Sequence, residues 1–342
     1  MPSFRAQVPT MVATDAYNRG VLGRLLFCVG GGIGDQACAE PSIAYACENF
    51  PDAEITVACP HPEMFEHIYA ADTFKIGERD IDMWQYHHLV TYAKPEHFSQ
   101  HFMSSFITNS VDYTSMMCFR GQLPKQYRGI HLSAEKPDQA IVESLGAIRQ
   151  HVIVHPGNSW KSKTFPSMWW QSLLTWLVDY GCTPVIVGTN KETVEIDVDQ
   201  QTMLDIRDRT SLTELTYILS QCFVLLTNDS SPLHLASASV TEHRNGEVTK
   251  WDSQCWIGYI ATAKHPDLLL HWRGGVTNKM RFGWRMRNFS KGGVWLDCQQ
   301  SLGPLGVGTI DVRTCTDERM QRWLPDPEHV ARWAASKWEG KQ

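Results

Sequence analysis

The apolar run Phe223 to Leu226, followed at once by Thr227-Asn228-Asp229-Ser230-Ser231-Pro232, constrains the fold more than any other segment. Four apolar residues bounded by polar ones read as a short buried strand. Asp229, Ser230 and Ser231 are residue types that cap helices, and Pro232 suits a first helical turn, where its missing N–H costs nothing. A strand that passes directly into a helix is the repeating unit of a parallel α/β sheet. The first amides of such a helix have no partner within it and attract anions. A well-capped helix with His234 packed beside it is the plainer reading of the same residues.

The same alternation recurs elsewhere. Leu25 to Val29 is a short apolar strand running into Gly30-Gly31-Gly32-Ile33-Gly34-Asp35, followed by a helix pattern from Gln36 to Asn49, a turn at Pro51-Asp52 and a strand from Ile55 to Cys59. That unit is half of a doubly wound sheet. A second series begins with a strand from Val152 to His155, a helix from Ser167 to Asp179, a strand from Pro184 to Gly188 and a helix from Ser211 to Ser220. Ser211 and Glu214 have the spacing of a capping box. After the Phe223 strand and the Pro232 helix come a polar insertion from Thr241 to Ser253 and a strand from Cys255 to Ile260. Asp326-Pro327 opens a last helix running to about Lys337.

The stretch from Pro62 to Gly146 carries weak signals and is read as completing the first domain. The expected fold is α/β, with two Rossmann-like domains facing across a cleft. Residues 1–148 form the acceptor-side domain, 149–325 the nucleotide-sugar side, and 326–342 a C-terminal helix.

Composition narrows the setting. Hydrophobic residues make up 43% of the 342 and charged residues 20%, globular values that supply sizeable cores. Ten cysteines without a C-x-x-C pair or a tight Cys/His cluster argue against a zinc site and a disulfide framework, so a reducing cytoplasm is the expected home. The first twenty residues lack a basic start with an apolar core, and no run approaches the ~18 apolar residues that span a bilayer. A soluble protein is expected, with peripheral membrane contact left open. At a net charge of −6, contact with nucleic acid or phospholipid needs a local basic patch.

Two loops carry candidate chemistry. In Gly30 to Asp35 the glycines let backbone approach a ligand, with Gly32 and Gly34 as donor contacts. The spacing departs from the dinucleotide fingerprint, because Asp35 stands where a third small residue is expected. Asp35 either caps the following helix or acts as general base toward an incoming hydroxyl. The second loop, His155 to Pro166, is dense in small donors and carries Lys161 and Lys163. Such a loop can wrap a phosphate, Ser159 among its donors, or it is a solvated polar loop.

Four ordered segments together resemble the ADP-heptose:lipopolysaccharide heptosyltransferase family. They are the Gly-Gly-Ile-Gly-Asp loop, the His-Pro-Gly to Lys-x-Phe-Pro segment, Thr210-Ser211-Leu212 to Glu214-Leu215, and Leu225 to Ala236. The resemblance runs from Leu25 to about Ile260 and leaves out Pro62 to Gly146. It implies a GT-B glycosyltransferase, inverting and working without a metal or other cofactor, with a nucleoside-diphosphate sugar as donor substrate. By motif position Asp35 is the base and Lys163 contacts the donor diphosphate. Asp229, Ser230, Ser231 and His234 form the donor pocket, and Glu192 reaches the ribose or base. The family has Gly where this chain has Ser231, so the donor need not be ADP-heptose. Independently of the resemblance, a departing diphosphate needs cationic or amide donors, and each charge-assisted hydrogen bond contributes about 1.5–3 kcal/mol.

Between Leu268 and Leu296 there is no acidic residue, while Arg273, Lys279, Arg281, Arg285 and Arg287 alternate with aromatics such as Trp284. Basic groups track a phosphate backbone and rings stack on bases, which suits DNA carrying hydroxymethylated pyrimidines. A solvated basic face over an aromatic core, or a patch for acidic lipopolysaccharide core, reads the same residues differently. A surface saccharide is the favoured acceptor, with modified DNA the alternative. A third reading, a binding protein without turnover, is opposed by the joint presence of Asp35 and Lys163.

Overall fold

The computed structural model describes residues 23–82, 85–86, 88–92, 130–146, 151–158, 164–228, 230–244, 247–253, 255–260, 286–289 and 324–339. The chain divides into two compact units, Met1–Arg128 and Gly129–Gln342.

The first unit contains strands β1 (Arg24–Val29), β2 (Glu54–Cys59), β3 (Ala71–Lys75) and β4 (His88–Tyr92), with helix α1 (Ile33–Asn49) between β1 and β2. The strands are parallel, in the order β3-β2-β1-β4. Leu25, Leu26, Phe27 and Val29 of β1 are fully buried, the continuous apolar run of a strand covered on both faces. Helix α1 starts at Ile33 rather than at the expected Gln36. Gly32 is its N-cap, and the Asp35 carboxylate folds back to accept from the Gly32 N–H at 2.9 Å.

The second unit contains β5 (His131–Ala134), β6 (His151–His155), β7 (Thr183–Ile186), β8 (Leu204–Asp205), β9 (Val224–Thr227), β10 (Ser239–Arg244), β11 (Glu247–Asp252), β12 (Trp256–Tyr259) and β13 (Met286–Asn288). Its helices are α2 (Gln139–Leu145), α3 (Ser167–Asp179), α4 (Leu212–Gln221), α5 (Ser231–Ala236) and α6 (Pro327–Glu339). Six parallel strands form one sheet in the order β13-β12-β9-β6-β7-β8. Helix α3 buries Trp169, Trp170, Leu173, Leu174 and Leu177 against Val330, Ala331, Trp333 and Ala334 of α6. Each such side chain contributes about 1.5–3 kcal/mol when fully buried. Phe165 meets the Trp169 ring edge-on at 4.9 Å, and the Trp169 indole N–H donates to the Pro325 carbonyl at 2.7 Å. At the start of α4 the capping box is formed in both directions, Glu214 N to Ser211 Oγ at 3.1 Å and Ser211 N to Glu214 Oε2 at 2.7 Å.

Two segments add to the sequence reading. The polar stretch from Thr241 to Ser253 is a hairpin: β10 and β11 pair antiparallel with Arg244 opposite Glu247. β5 lies along the other side of β10 in parallel, with Leu132 opposite Val240, both fully buried. The second unit accordingly starts at Gly129, ahead of β5. The physical reason is this pairing of β5 with β10, reinforced by Glu135 N donating to the Thr213 carbonyl at 3.2 Å.

Candidate functional site

The large sheet reverses its strand order between β6 and β9: the chain lays β7 and β8 on one side of β6, then β9, β12 and β13 on the other. In an open parallel sheet, ligands bind outside the carboxyl ends of the strands at such a reversal. Here the ends are His155 and Thr227, directly opposite each other in register.

His155 is the hub of that edge. Its Nδ1 lies 3.0 Å from Ser230 Oγ and 3.4 Å from Thr227 Oγ1, and the two hydroxyls are 3.1 Å apart. Ser230 is the N-cap of α5, yet its hydroxyl makes no capping bond, being turned to His155. Burial pushes the His155 imidazole down to about 4, with the Asn228 amide opposing. The ring is thus neutral near pH 7 and orders hydroxyls without supplying charge.

Asn228, fully buried, joins the two loops by donating from Nδ2 to the Gly157 carbonyl at 2.8 Å. Gly157 has no room for a side chain, because a Cβ there would stand 2.5 Å from Asn228 Oδ1 and 2.9 Å from His155 Cε1. The loop after β6 is pinned on its other side by Asn158 N to the Glu192 carbonyl at 2.7 Å and Val194 N to the Pro156 carbonyl at 2.9 Å. Beyond it, the Arg207 guanidinium grips Asp205 with Nε to Oδ1 at 3.0 Å and Nη2 to Oδ2 at 2.6 Å, and its Nη1 reaches Thr193 Oγ1 at 3.3 Å. Burial opposes ionisation of Asp205, but the Arg207 contacts hold its carboxyl below the usual carboxylate range.

Of the residues singled out from sequence, Ser230, Ser231 and His234 share the short α5 region at this edge and are half-buried. Ser231 and His234, three residues apart within the helix, share a face, whereas Ser230 precedes it in extended backbone. Glu192 joins the edge through its backbone, and its side chain is exposed. Ser159, Lys163 and Asp229 lie outside the described residues, as do Arg273, Lys279, Arg281, Trp284 and Arg285. Arg287 stands exposed on β13, 3.2 Å from His329 Nε2 and over the Phe289 ring, while Phe289 is buried against Trp333.

Asp35 belongs to the first unit, at the carboxyl end of β1, where that sheet also reverses its order between β1 and β4. Gly31 has φ +87, and a Cβ on it would fall 2.5 Å from Asp35 Oδ2. The glycine loop therefore wraps the carboxylate, as Gly32 N–H does from the next residue. Gly34 lies in the first turn of α1.

Sequence reasoning passed over His155, Thr227 and Asn228 as site residues. The signal was present: an apolar strand ending in His-Pro-Gly, and another ending in Thr-Asn, are strand ends with polar side chains where a parallel sheet opens to ligands. Among the described residues, no group of three or more His, Cys, Asp or Glu side chains gathers as a metal site, and no helix is long and apolar enough to cross a membrane.

Residues 81–242 match the sequence model of glycosyltransferase family 9 (heptosyltransferase). The chain is a glycosyltransferase, similar over this segment to family 9. The match takes in both loops of the β6/β9 edge and leaves the Gly30 to Asp35 loop outside it. No curated protein sequence matches the chain. Among solved structures, the glycosyl transferase family 9 protein from Veillonella parvula DSM 2008 aligns with a TM-score of 0.54 at 11% identity, over 91% of this chain and 97% of that one. The E. coli ADP-heptose lps heptosyltransferase II aligns at 0.51 and 14%, over 91% and 99%. The dodecameric iron-containing heptosyltransferase TibC, solved with ADP-D-beta-D-heptose, aligns at 0.60 and 11%, over 93% of this chain and 77% of its own. At these identities the likeness is one of fold, and the fold class is that of the GT-B glycosyltransferases.

Proposed function

We propose that this glycosyltransferase moves a sugar from a nucleoside-diphosphate donor to an acceptor hydroxyl, with inversion and without a metal. The observation that carries the reading is the meeting of two loops at the β6/β9 reversal, where His155 orders the Ser230 and Thr227 hydroxyls. TibC, similar in fold, was solved with ADP-D-beta-D-heptose. In this chain Ser230, Ser231 and His234 line the diphosphate's place. Because His155 is neutral, the cation that stabilises the leaving phosphate comes from another residue, and Lys163 takes that role. Asp229 and Ser159 are further donor contacts on the same two loops, and Gly32 and Gly34 belong to a glycine loop of the first unit that a ligand can approach closely. The exposed Glu192 side chain is available to the ribose or base.

Asp35 accepts the proton of the attacking hydroxyl. One carboxylate oxygen accepts from Gly32 N–H, which fixes the orientation of the group. The proton leaves late, as the anomeric centre becomes cation-like, so a weak base suffices. The acceptor is a saccharide of the lipopolysaccharide core type, met by a cytoplasmic protein at the membrane surface. DNA with hydroxymethylated pyrimidines is the second reading, favoured by the absence of acidic residues between Leu268 and Leu296.

A panel of nucleotide sugars assayed for diphosphate release tests both readings, alone, with lipopolysaccharide core and with hydroxymethylated DNA. Release stimulated by the saccharide supports the first reading, and release stimulated only by the DNA supports the second. No release with any donor, with or without acceptor, leaves a binding protein and overturns the enzymatic role.

A further inference from the structure

Two buried thiols stand in contact at the end of the large sheet opposite the candidate site. Cys222 Sγ lies 3.1 Å from Cys255 Sγ, with the two residues 1% and 4% exposed. Their backbones are held from both sides. Cys222 closes α4, its N–H bonded to the Ile218 carbonyl at 2.8 Å, and leads into β9. Cys255 leads into β12, the parallel neighbour of β9, and Trp256 N donates to the Phe223 carbonyl at 2.8 Å between them. Trp251 Nε1 donates to Ser220 Oγ at 3.1 Å, which ties the returning hairpin to the same helix end. A disulfide needs the sulfurs only about 1 Å closer than they stand.

We propose that Cys222 and Cys255 are a modification site, convertible by a peroxide into a disulfide that fastens the base of the segment carrying Ser230, Ser231 and His234. One sulfur, giving up its proton, attacks a peroxide oxygen and becomes a sulfenic acid as water leaves. The second sulfur attacks the first, the S–O bond breaks, and the departing hydroxide takes the remaining thiol proton to form a second water. Two thiols lose two electrons in all, and one hydrogen peroxide becomes two waters. Burial holds the Cys222 thiol well above its ordinary range, so thiolate is scarce. The pair therefore stays reduced without a small uncharged oxidant and reacts more slowly than an exposed thiol.

The test treats the folded full-length protein with hydrogen peroxide and maps peptides without reduction. The expected result is a Cys222–Cys255 cross-linked peptide, an intact mass lower by about two hydrogens, and reversal by dithiothreitol. Closing this loop should raise the thermal midpoint by about 5–10 °C. Cys222→Ala and Cys255→Ala should each abolish that rise. If a variant does not fold, the peptide map of the unaltered protein decides alone. Recovery of both thiols free while other cysteines oxidise, cross-links to other cysteines, or sulfinic acid at these positions would overturn the pair. A cross-link that left the midpoint unchanged would overturn the fastening role.

Discussion

His155 and Ser230, 75 positions apart in sequence, are joined through Nδ1 and Oγ at 3.0 Å, across the point where the large sheet reverses its strand order. Ser230 caps its helix with backbone alone because its hydroxyl is committed to the imidazole. Ser230→Ala removes the hydroxyl and leaves Thr227 beside the ring. Donor affinity should fall about tenfold, the loss of one hydrogen bond to a charged group, with little change in stability. Calorimetry with a nucleoside diphosphate measures this, and unchanged affinity would remove Ser230 from the donor site.

The buried imidazole makes stability depend on pH. Burial lowers the His155 value from 6.5 to about 4, so between these values the unfolded chain binds a proton that the folded chain refuses. Stability present above the unfolded value is therefore lost as pH falls toward 4, by about 3 kcal/mol over the window. Urea midpoints at several pH values should show that slope, and His155→Gln should flatten it. A slope that survives the substitution assigns the effect to other groups.

Asp35 has a structural part and a proposed chemical part, and two substitutions separate them. Asp35→Asn keeps an oxygen for Gly32 N–H and removes the base, so turnover should drop about 10²–10⁴-fold while thermal stability holds. Asp35→Ala should add a stability loss of about 0.5–2 kcal/mol by freeing the helix start. Normal turnover in the Asn variant would leave Asp35 only as a cap.

Gly157→Ala forces a methyl group to within 2.5 Å of Asn228 Oδ1, which itself holds the loop through the Gly157 carbonyl. Overpacking of this kind costs about 1–3 kcal/mol. The expected result is a lower melting temperature together with weaker donor binding. A fall in one without the other would separate the loop from the site.

Lys163→Ala should weaken donor binding about tenfold or more, through loss of a charge-assisted hydrogen bond to the diphosphate. Unaltered affinity by calorimetry would move the cationic role to another residue.

Local chemistry made much of the fold legible. The apolar strands β1, β2, β6 and β9, helix α3 from Ser167 to Asp179 and the Ser211 capping box all depend on neighbours within a few residues, and each formed close to where its pattern put it. One local signal was available and passed over: Asn245-Gly246 sits between the paired residues Arg244 and Glu247, the dipeptide that favours a two-residue hairpin. The polar composition of β11 reads as part of an insertion, because a strand paired on one edge and exposed on its faces needs no apolar alternation.

By itself the sequence determined the strand-helix alternation, the caps and the residue types available at each strand end, because periodicity and capping act over a single turn or strand. Tertiary structure alone decided that β5 joins β10 across about a hundred residues of chain, since both needed a buried partner for Leu132 and Val240. It also decided that His155 became the neutral centre of the candidate site. That role exists only where two parallel strands bring an imidazole, two hydroxyls and an amide together and exclude water from them.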